Sequence, residues 1–196
     1  VPQRQPVYTA KMVADVDYLS NGRVDFGVGI GWLKEEFENL DMDFSTRAAR
    51  TEEYILAMRA LWSDGVSEFS GQTVNLQPCH FNPKPIQKPA PPIYFGGESD
   101  AAMRRVARLG DGWYGYDLSP EQLQEKLVSL DAALAGTGRS RSDIDLVVGP
   151  NRHPVTVDTV AAYAAAGVDQ LVVPVFAGSL DKLAARVDAL MALASD

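Results

Sequence analysis

Three glycines, Gly27, Gly29 and Gly31, stand two residues apart at the end of a short apolar segment. Alternate positions without side chains let another group approach a strand's backbone, or relieve crowding against neighbouring strands. Trp32 follows directly, and its ring could stack on a planar cofactor or pack in a core. Ligands of parallel α/β folds collect at the carboxyl ends of strands. We therefore predict that these four residues contact a cofactor.

A second pair of glycines, Gly96 and Gly97, stands between another apolar segment and the predicted helix Asp100–Leu109. Backbone N–H groups at a helix start, with no Cβ in the way, form an anion site. We predict that Gly96, Gly97 and Ser99 bind a phosphate group. Glu98 is expected to contribute its backbone while its carboxylate points away. Ser99 also suits a helix N-cap, a role that is compatible with phosphate binding.

A third segment, Gly110 to Asp117, ends that helix with a glycine and starts another strand. Trp113 lies within it and is a further predicted cofactor contact. Its ring could wall a pocket or stack on a ring system, and core packing is the alternative that the sequence leaves open.

Other polar residues favour structural roles. Glu35 and Glu36 lie at a predicted helix start, where carboxylates interact favourably with the helix dipole. Arg47 and Arg50 are predicted to hold a loop by pairing with acids such as Glu53.

Metal and hydrolytic sites are not predicted. Cys79 and His80 are adjacent, but two residues are too few to form a set of metal ligands. His153 stands in a separate loop. Neither a Ser/His/Asp constellation nor a phosphate-binding P-loop can be assembled from the sequence.

Short apolar segments alternate with amphipathic helical segments along the chain. The predicted strands are Val24–Val28, Ile93–Phe95, Gly112–Gly115, Ile144–Val148 and the apolar run Gln170–Phe176. The predicted helices are Pro6–Leu19, Arg47–Trp62, Asp100–Leu109, Pro120–Ala135, Thr156–Ala166 and a last helix with Leu183, Val187, Leu190 and Met191. This alternation predicts an α/β fold with a parallel sheet, outer helices and right-handed crossovers.

Two helices show a clear apolar face. The faces comprise Leu123, Leu127, Leu130 and Leu134 in one helix, and Tyr54, Met58, Leu61 and Trp62 in the other. Both faces are predicted to point into a core.

Residues 63–92 interrupt the alternation of strands and helices. A hairpin is predicted around Ser70 and Gly71. The following segment, NPKPIQKPAPP, is predicted to be extended, because each proline removes a donor and disfavours helix before it. A surface loop and a cover near a ligand site are both open interpretations. We predict one domain, residues 1–196, with this insertion inside it.

Composition narrows the class of protein. With 46% apolar and 22% charged residues, the chain can bury a large core. No apolar run of about 18 residues is present, so no membrane-spanning helix is predicted. The formal charge of −8 argues against non-specific nucleic-acid binding. The single cysteine, Cys79, excludes an internal disulfide and fits a cytoplasmic protein.

Several segments, in this order, resemble the luciferase-like monooxygenase family. They are RVDFGVGIGW, FSTRAARTEEYILAMRALW, PKPIQKP, FGGES and RRVARLGDGW. The resemblance implies a (β/α)8 TIM barrel that binds FMN or the deazaflavin coenzyme F420. The combination of GVGIGWLKEEF with FGGES and GDGW favours the F420-dependent branch.

The resemblance also implies that the barrel is incomplete. In that family the segment resembling Pro6–Gly22 is the third barrel helix, and barrels of this kind need about 250 residues. This chain has 196 residues and begins at Val1. We expect barrel strands four to eight, without the first three. The family's substrate-presenting residues come largely from those three, so no catalytic residue is assigned.

Three functions remain open from the sequence. The first is an F420-dependent oxidoreductase that transfers a hydride between the deazaflavin and a small organic substrate. The second is an FMN-dependent monooxygenase of the same fold. The third is an inactive barrel fragment that associates with a partner or, as a homodimer, with itself, because an open sheet leaves unpaired edges.

Overall fold

A computed structural model describes residues 1–193 of the chain and has the predicted α/β alternation. In chain order the elements are α1 (Pro6–Ser20), β1 (Phe26–Val28), α2 (Lys34–Asn39), α3 (Arg47–Trp62), β2 (Val66–Ser70), β3 (Asn75–His80), β4 (Ile93–Gly96), α4 (Asp100–Leu109), β5 (Gly112–Tyr116), α5 (Pro120–Leu134), β6 (Asp145–Gly149), α6 (Val157–Ala165), β7 (Gln170–Leu171) and α7 (Leu180–Leu193). Short 3-10 helices occupy Phe44–Thr46 and Arg141–Asp143.

Five strands form one sheet in the order β1-β4-β5-β6-β7. At its first edge the Phe26 amide donates to the Pro92 carbonyl oxygen, 2.9 Å away. β5 pairs parallel with β6, where Trp113 stands opposite Leu146, and β6 pairs parallel with β7. The predicted parallel sheet with helices between its strands is confirmed.

The chain divides into two compact units, the first Val1–Tyr94 and the second from Phe95 onward. The first unit is built on α1 and α3, which pack together. Pro6 starts α1, and Asn21 ends it in a left-handed conformation. The predicted face of α3 is buried, and the indole nitrogen of Trp62 donates to the Ala10 carbonyl oxygen at 3.0 Å.

The insertion forms the predicted hairpin. β2 and β3 are antiparallel, with Ser70 opposite Asn75, and the Gly71 amide donates to the Val74 carbonyl oxygen across the loop. The proline-rich connector is anchored at Gln87, whose backbone and side-chain nitrogens both donate to the fully buried carboxylate of Asp17. A buried carboxylate that accepts several hydrogen bonds holds the connector in one place.

The second unit is built around α4 and α5, which pack against each other. Ser119 forms a capping box at the start of α5, which defines where the helix begins. The four predicted leucines of α5 are all buried, with at most 3% of each side chain exposed. Tyr163 of α6 is also buried, and its hydroxyl donates to the Leu118 carbonyl oxygen.

The end of the second unit differs from the prediction. The apolar run Gln170–Phe176 forms only the two-residue strand β7. The Val172 amide still donates to the Val148 carbonyl oxygen, and Pro174 has no amide hydrogen with which to extend the ladder. α7 has no buried residue among those described, so Leu183, Val187, Leu190 and Met191 do not enter a core.

No helix within residues 1–193 is both long and apolar enough to cross a membrane.

Candidate functional site

The start of α4 has the features of an anion site. Ser99 is the N-cap, and its hydroxyl accepts from the Ala102 amide at 3.2 Å. The Met103 amide donates to the Ser99 carbonyl oxygen, as in any helix. The amides of Asp100 and Ala101 have no acceptor among the described residues, and both positions are exposed. Two outward donors at a positive helix end favour a negatively charged ligand.

Gly97 shapes the turn into this helix. Its φ of +107° lies where residues with a Cβ are strained, and an added Cβ would stand 3.2 Å from the Ala102 side chain. Glycine therefore keeps the backbone of the turn close to the helix start. We call Gly97, Ser99 and the amides of Asp100 and Ala101 the α4 cradle.

Trp113 lies beneath this cradle and not beside it. Its side chain is fully buried, and its indole nitrogen donates to the Gly97 carbonyl oxygen at 3.0 Å. This is the packing role that the sequence left open as the alternative to stacking. In the second unit, Trp113 supports the turn that Gly97 makes.

The carboxylate of Glu98 points along the strand ends. Its Oε1 accepts from the Tyr116 amide, 2.9 Å away, at the last residue of β5. Gly96 ends β4 directly before it. The structure thus brings the end of β4, the end of β5 and the α4 cradle together, which groups Gly96, Gly97, Glu98, Ser99 and Trp113 in one part of the second unit.

Tyr114 and Asn151 are polar residues near these strand ends that the sequence analysis missed. Gly149 has no Cβ, and one built there would lie 2.3 Å from the Tyr114 hydroxyl and 3.4 Å from the Asn151 amide nitrogen. That nitrogen is buried, and the Tyr114 hydroxyl is the polar group it lies against. Burial, with Tyr116 next, raises the pKa of Tyr114, so its hydroxyl is protonated and can donate.

The alternation of β5 could have indicated Tyr114. Trp113 and Gly115 are buried on one face of the strand, so Tyr114 between them must face the other side. This period of two puts Trp113 on the buried face of β5 and Tyr114 on the half-buried one. Cofactor contact by Trp113 stays a prediction. Asn151 has no comparable sequence signal, since it lies in an irregular loop after β6.

Asp117 organises the loop that follows β5. Its side chain is 5% exposed, accepts from the Arg152 backbone amide at 2.9 Å and pairs with the Arg152 guanidinium. The hydrogen bond from that guanidinium lowers the pKa of Asp117, with the backbone bond next. The His153 ring nitrogen lies 3.2 Å from the Asp117 carbonyl oxygen. These contacts join the loops after β5 and β6.

The glycines of the first unit differ in their surroundings. A Cβ built on Gly27 or Gly29 would meet no atom within 4 Å, whereas one on Gly31 would lie 2.7 Å from the Phe37 ring. The φ of Gly31 is +80°, so it makes the turn that lets Phe37 pack. Trp32 is 82% exposed. Cofactor contact by these four residues stays a prediction.

The acidic and basic residues around α2 and α3 have structural contacts. Glu35 and Glu36 lie in the first turn of α2, as predicted. Glu53 accepts from the Thr73 and Val74 amides of the hairpin loop, both at 2.6 Å, rather than serving as the predicted arginine partner. Two adjacent backbone donors suit a carboxylate acceptor, because they satisfy it without ordering a second side chain.

The two arginines instead contact aromatic residues and the backbone. Arg47 donates to the Phe44 carbonyl oxygen and lies over its ring, and Arg50 donates to the Tyr54 hydroxyl. Within residues 1–193, no group of three or more His, Cys, Asp or Glu side chains is placed to hold a metal ion.

Comparison with known proteins gives matches over most of the chain. A family profile described as luciferase-like monooxygenase matches residues 1–190. An uncharacterised protein of Mycobacterium tuberculosis is 30% identical over 190 residues, which are 97% of this chain and 66% of that protein. An FMNH2-dependent dimethylsulfone monooxygenase of Pseudomonas putida is 29% identical over 157 residues, 79% of this chain and 42% of that enzyme.

A solved structure supports the same fold. The coenzyme F420-dependent tetrahydromethanopterin reductase of Methanopyrus kandleri superposes with a TM-score of 0.66 at 21% identity. The match covers 74% of this chain and 46% of that one. This chain therefore spans 66% or less of the length of each of these proteins. The barrel-type fold predicted from the sequence is confirmed, and its partial coverage agrees with an incomplete barrel.

Proposed function

Because this chain belongs to the luciferase-like monooxygenase family, we propose that, within a complete barrel, it acts as an F420-dependent oxidoreductase. It would transfer a hydride between the deazaflavin and a small organic substrate. The observation that carries the proposal is the α4 cradle, whose two outward amides and side-chain-free Gly97 suit a phosphate group of such a cofactor. The likeness to an F420-dependent reductase favours this cofactor.

The residues of the second unit would bind and orient. Asp100 and Ala101 would donate their amides to the phosphate, and the Gly97 turn would admit it. Trp113 would hold the Gly97 carbonyl oxygen and so keep that turn in place. When bound, the deazaflavin would supply or accept the hydride, while the protein provides position and excludes water.

Two further side chains would orient the reacting partner. The Tyr114 hydroxyl and the buried Asn151 amide are hydrogen-bond donors on one side of Gly149. The half-buried Tyr114 hydroxyl would donate to a carbonyl or hydroxyl oxygen of the substrate, with the Asn151 amide beside it. This arrangement favours a substrate with an oxygen acceptor.

An FMN-dependent monooxygenase is the second candidate. It is favoured by the 29% identity to an FMNH2-dependent dimethylsulfone monooxygenase. The α4 cradle suits the phosphate of FMN equally well, since its donors recognise charge and not the ring system. Oxygen consumption with reduced FMN would distinguish this candidate from the deazaflavin enzyme.

The test is a fluorescence titration of the chain with F420 and, in parallel, with FMN. Ala101→Glu is the informative variant, because a carboxylate in the first turn of α4 stabilises the helix while it repels a phosphate. The control is Ala132→Glu, at an exposed position of α5. We expect the F420 affinity to fall at least about tenfold in Ala101→Glu, equivalent to about 1.4 kcal/mol, and to be unchanged in the control.

Each other result has a defined meaning. Saturation by FMN alone would replace the deazaflavin by a flavin. Binding of F420 that Ala101→Glu leaves intact would rule out the α4 cradle as the phosphate site. Binding of neither cofactor would favour the third function, an inactive fragment that requires a partner.

A further inference from the structure

A cavity of about 720 Å³ lies at the carboxyl ends of three strands of the second unit. Tyr116 ends β5, Asn151 and Arg152 follow β6, and residues 173–176 follow β7. The helix α7 contributes Arg186 to the lining. Ligands of parallel α/β folds collect at this edge of the sheet. The cavity therefore has the position of a ligand site.

Much of the cavity lining is apolar. Val155, Val173 and Leu190 are among the residues that form it. Two aromatic residues of the lining, Tyr116 and Phe176, are 61% and 78% exposed. A ligand that covers these side chains removes apolar surface from water, which favours binding. The lining therefore suits a ligand with an apolar body.

The charge of the lining is positive. Its two charged residues are Arg152 and Arg186, and no acidic side chain within residues 1–193 lines the cavity. Lys182, one turn before Arg186 on α7, lines a second cavity that shares Arg186 and Phe176 with the first. The chain as a whole has a formal charge of −8, so this cluster of cations departs from the general charge. Such a cluster attracts an anionic ligand.

The two guanidinium groups differ in their contacts. Arg152 pairs with Asp117, whose side chain is 5% exposed, whereas the Arg152 side chain is 87% exposed. Asp117 thus offsets the charge of Arg152 and leaves much of that guanidinium in contact with solvent. Arg186 donates to the Phe176 carbonyl oxygen and pairs with no carboxylate within the described part of the chain. Because a carbonyl oxygen carries no net charge, Arg186 supplies the net positive charge of the cavity.

The cavity is continuous with the two side chains that would orient the reacting partner. Tyr114 and Tyr116 lie on the same side of β5, since side chains two residues apart in a strand share a face. They are about 7 Å apart along an extended strand. Asn151 lies against the Tyr114 hydroxyl and also lines the cavity. One ligand can therefore reach both Tyr114 and the arginines.

We propose that this cavity binds a small organic carboxylate, with Arg186 as the main contact of the anionic group and Arg152 beside it. The planar fork of a guanidinium donates two parallel hydrogen bonds to a carboxylate. The apolar body of the ligand packs against Phe176 and Val173. The identification of this carboxylate as the substrate rests on the proposed function. In that case its acceptor oxygen meets Tyr114, and its carboxylate meets Arg186.

Three probes of the same shape and different charge test the site: benzoate, neutral benzamide and cationic benzamidine. Each is titrated into the chain at constant ionic strength, and the backbone amide resonances are followed by heteronuclear NMR. Benzoate should bind with a dissociation constant of about 1 mM, at least about tenfold more tightly than benzamide. The amide resonances of Val173 and Phe176 should shift. Equal affinities for benzoate and benzamide would overturn the proposal.

Arg186→Gln is the informative variant, because glutamine can still donate to the Phe176 carbonyl oxygen but carries no charge. The affinity for benzoate should fall about tenfold, and the affinity for benzamide should not change. Arg186→Lys keeps the charge and should retain most of the affinity. The matched control is Arg104→Gln, which removes the same charge from an exposed position of α4 outside the cavity. An equal loss in the control would show that only the net charge of the chain matters.

Charge reversal at the same position gives an independent test. In Arg186→Glu, benzamidine should bind more tightly than benzoate, because the sign of the charge in the cavity has changed. A preference for benzoate that persists in this variant would exclude Arg186 as the contact. Loss of affinity for all three probes alike would assign Arg186 a structural role and contradict the proposal.

These titrations contain no cofactor, so they separate the carboxylate site from the proposed function. Benzoate binding that depends on Arg186, in a chain that binds neither F420 nor FMN, would support the carboxylate site and contradict the oxidoreductase. Binding of F420 to a chain without affinity for benzoate would support the oxidoreductase and overturn the carboxylate site.

Discussion

The indole nitrogen of Trp113 donates a hydrogen bond to the carbonyl oxygen of Gly97 over 3.0 Å. Gly97 has a positive φ, and Trp113 is fully buried. The bond therefore ties a conformation that only glycine adopts easily to a rigid part of the core. It links β5 to the start of α4 and so helps to fix the shape of the α4 cradle.

Replacing Trp113 by phenylalanine tests that link. Trp113→Phe leaves the Gly97 carbonyl oxygen without its donor, which should cost about 1–3 kcal/mol of unfolding free energy. Trp62→Phe is the matched control, since Trp62 is also fully buried and donates to a backbone carbonyl at 3.0 Å. Urea denaturation should show a loss in both variants. Only Trp113→Phe should weaken cofactor affinity. An equal loss of affinity in both variants would argue against a specific role of the Trp113–Gly97 hydrogen bond in cofactor binding.

The conformation of Gly97 gives a second prediction. Gly97→Ala forces an alanine into a left-handed region and brings its Cβ to 3.2 Å from Ala102. We expect a loss of about 1–2 kcal/mol from the backbone alone, with a further loss from crowding. Gly136→Ala is the control, because Gly136 has a φ of +82° and its added Cβ would meet nothing within 4 Å.

Denaturation and cofactor titration separate the two glycine variants. Gly136→Ala should lower stability by the backbone cost and leave cofactor affinity unchanged. Gly97→Ala should lower both. If both variants lose the same unfolding free energy, the Cβ added at Gly97 causes no further loss by crowding Ala102.

Acid should weaken the loop that Asp117 holds. The hydrogen bond from Arg152 lowers the pKa of Asp117 below its ordinary value of 3.8. A lowered pKa in the folded state means that the interaction stabilises the fold above about pH 4 and is lost as the pH falls through the folded-state pKa. In Asp117→Asn, the unfolding free energy should fall less steeply over that range than in the parent chain. An unchanged slope in Asp117→Asn would refute the linkage.

Packing predicts that α5 and α7 differ in their contribution to stability. Leu130 of α5 is fully buried, so Leu130→Ala should cost about 2–5 kcal/mol. Leu190 of α7 borders a cavity of about 520 Å³ that Val155 and Tyr163 also line. Leu190→Ala should cost less than about 1 kcal/mol, because few contacts are lost. Chemical denaturation measures both, and a comparable loss at Leu190 would show that α7 is packed in solution.

Helix positions were the most predictable feature of this fold. α3 spans Arg47–Trp62 and α4 spans Asp100–Leu109, and both helices have the bounds that the sequence predicted. Strong local signals account for this, namely a periodic apolar face in α3 and the Ser99 cap with Gly110 beyond the end in α4. The Ser70 hairpin was predictable for the same reason, since its turn is local.

The candidate site was predictable only in part. The glycines and Ser99 of the α4 cradle were recognisable because a turn and a cap leave sequence signatures. The burial of Trp113 was not, since either role of a tryptophan is compatible with its sequence context. The contacts of Glu53 and Asp117 also escaped prediction, because their partners lie 20 or more residues away in the chain.

The sequence by itself determined the alternation of strands and helices, the family and the glycine-rich turns, because each depends on residues close together in the chain. Tertiary structure alone decided that Trp113 is buried, that β7 stops after Leu171, and that the exposed face of α1 is apolar. Burial depends on which neighbours pack against a residue. Residues distant in sequence supply those neighbours, so no local pattern can specify them.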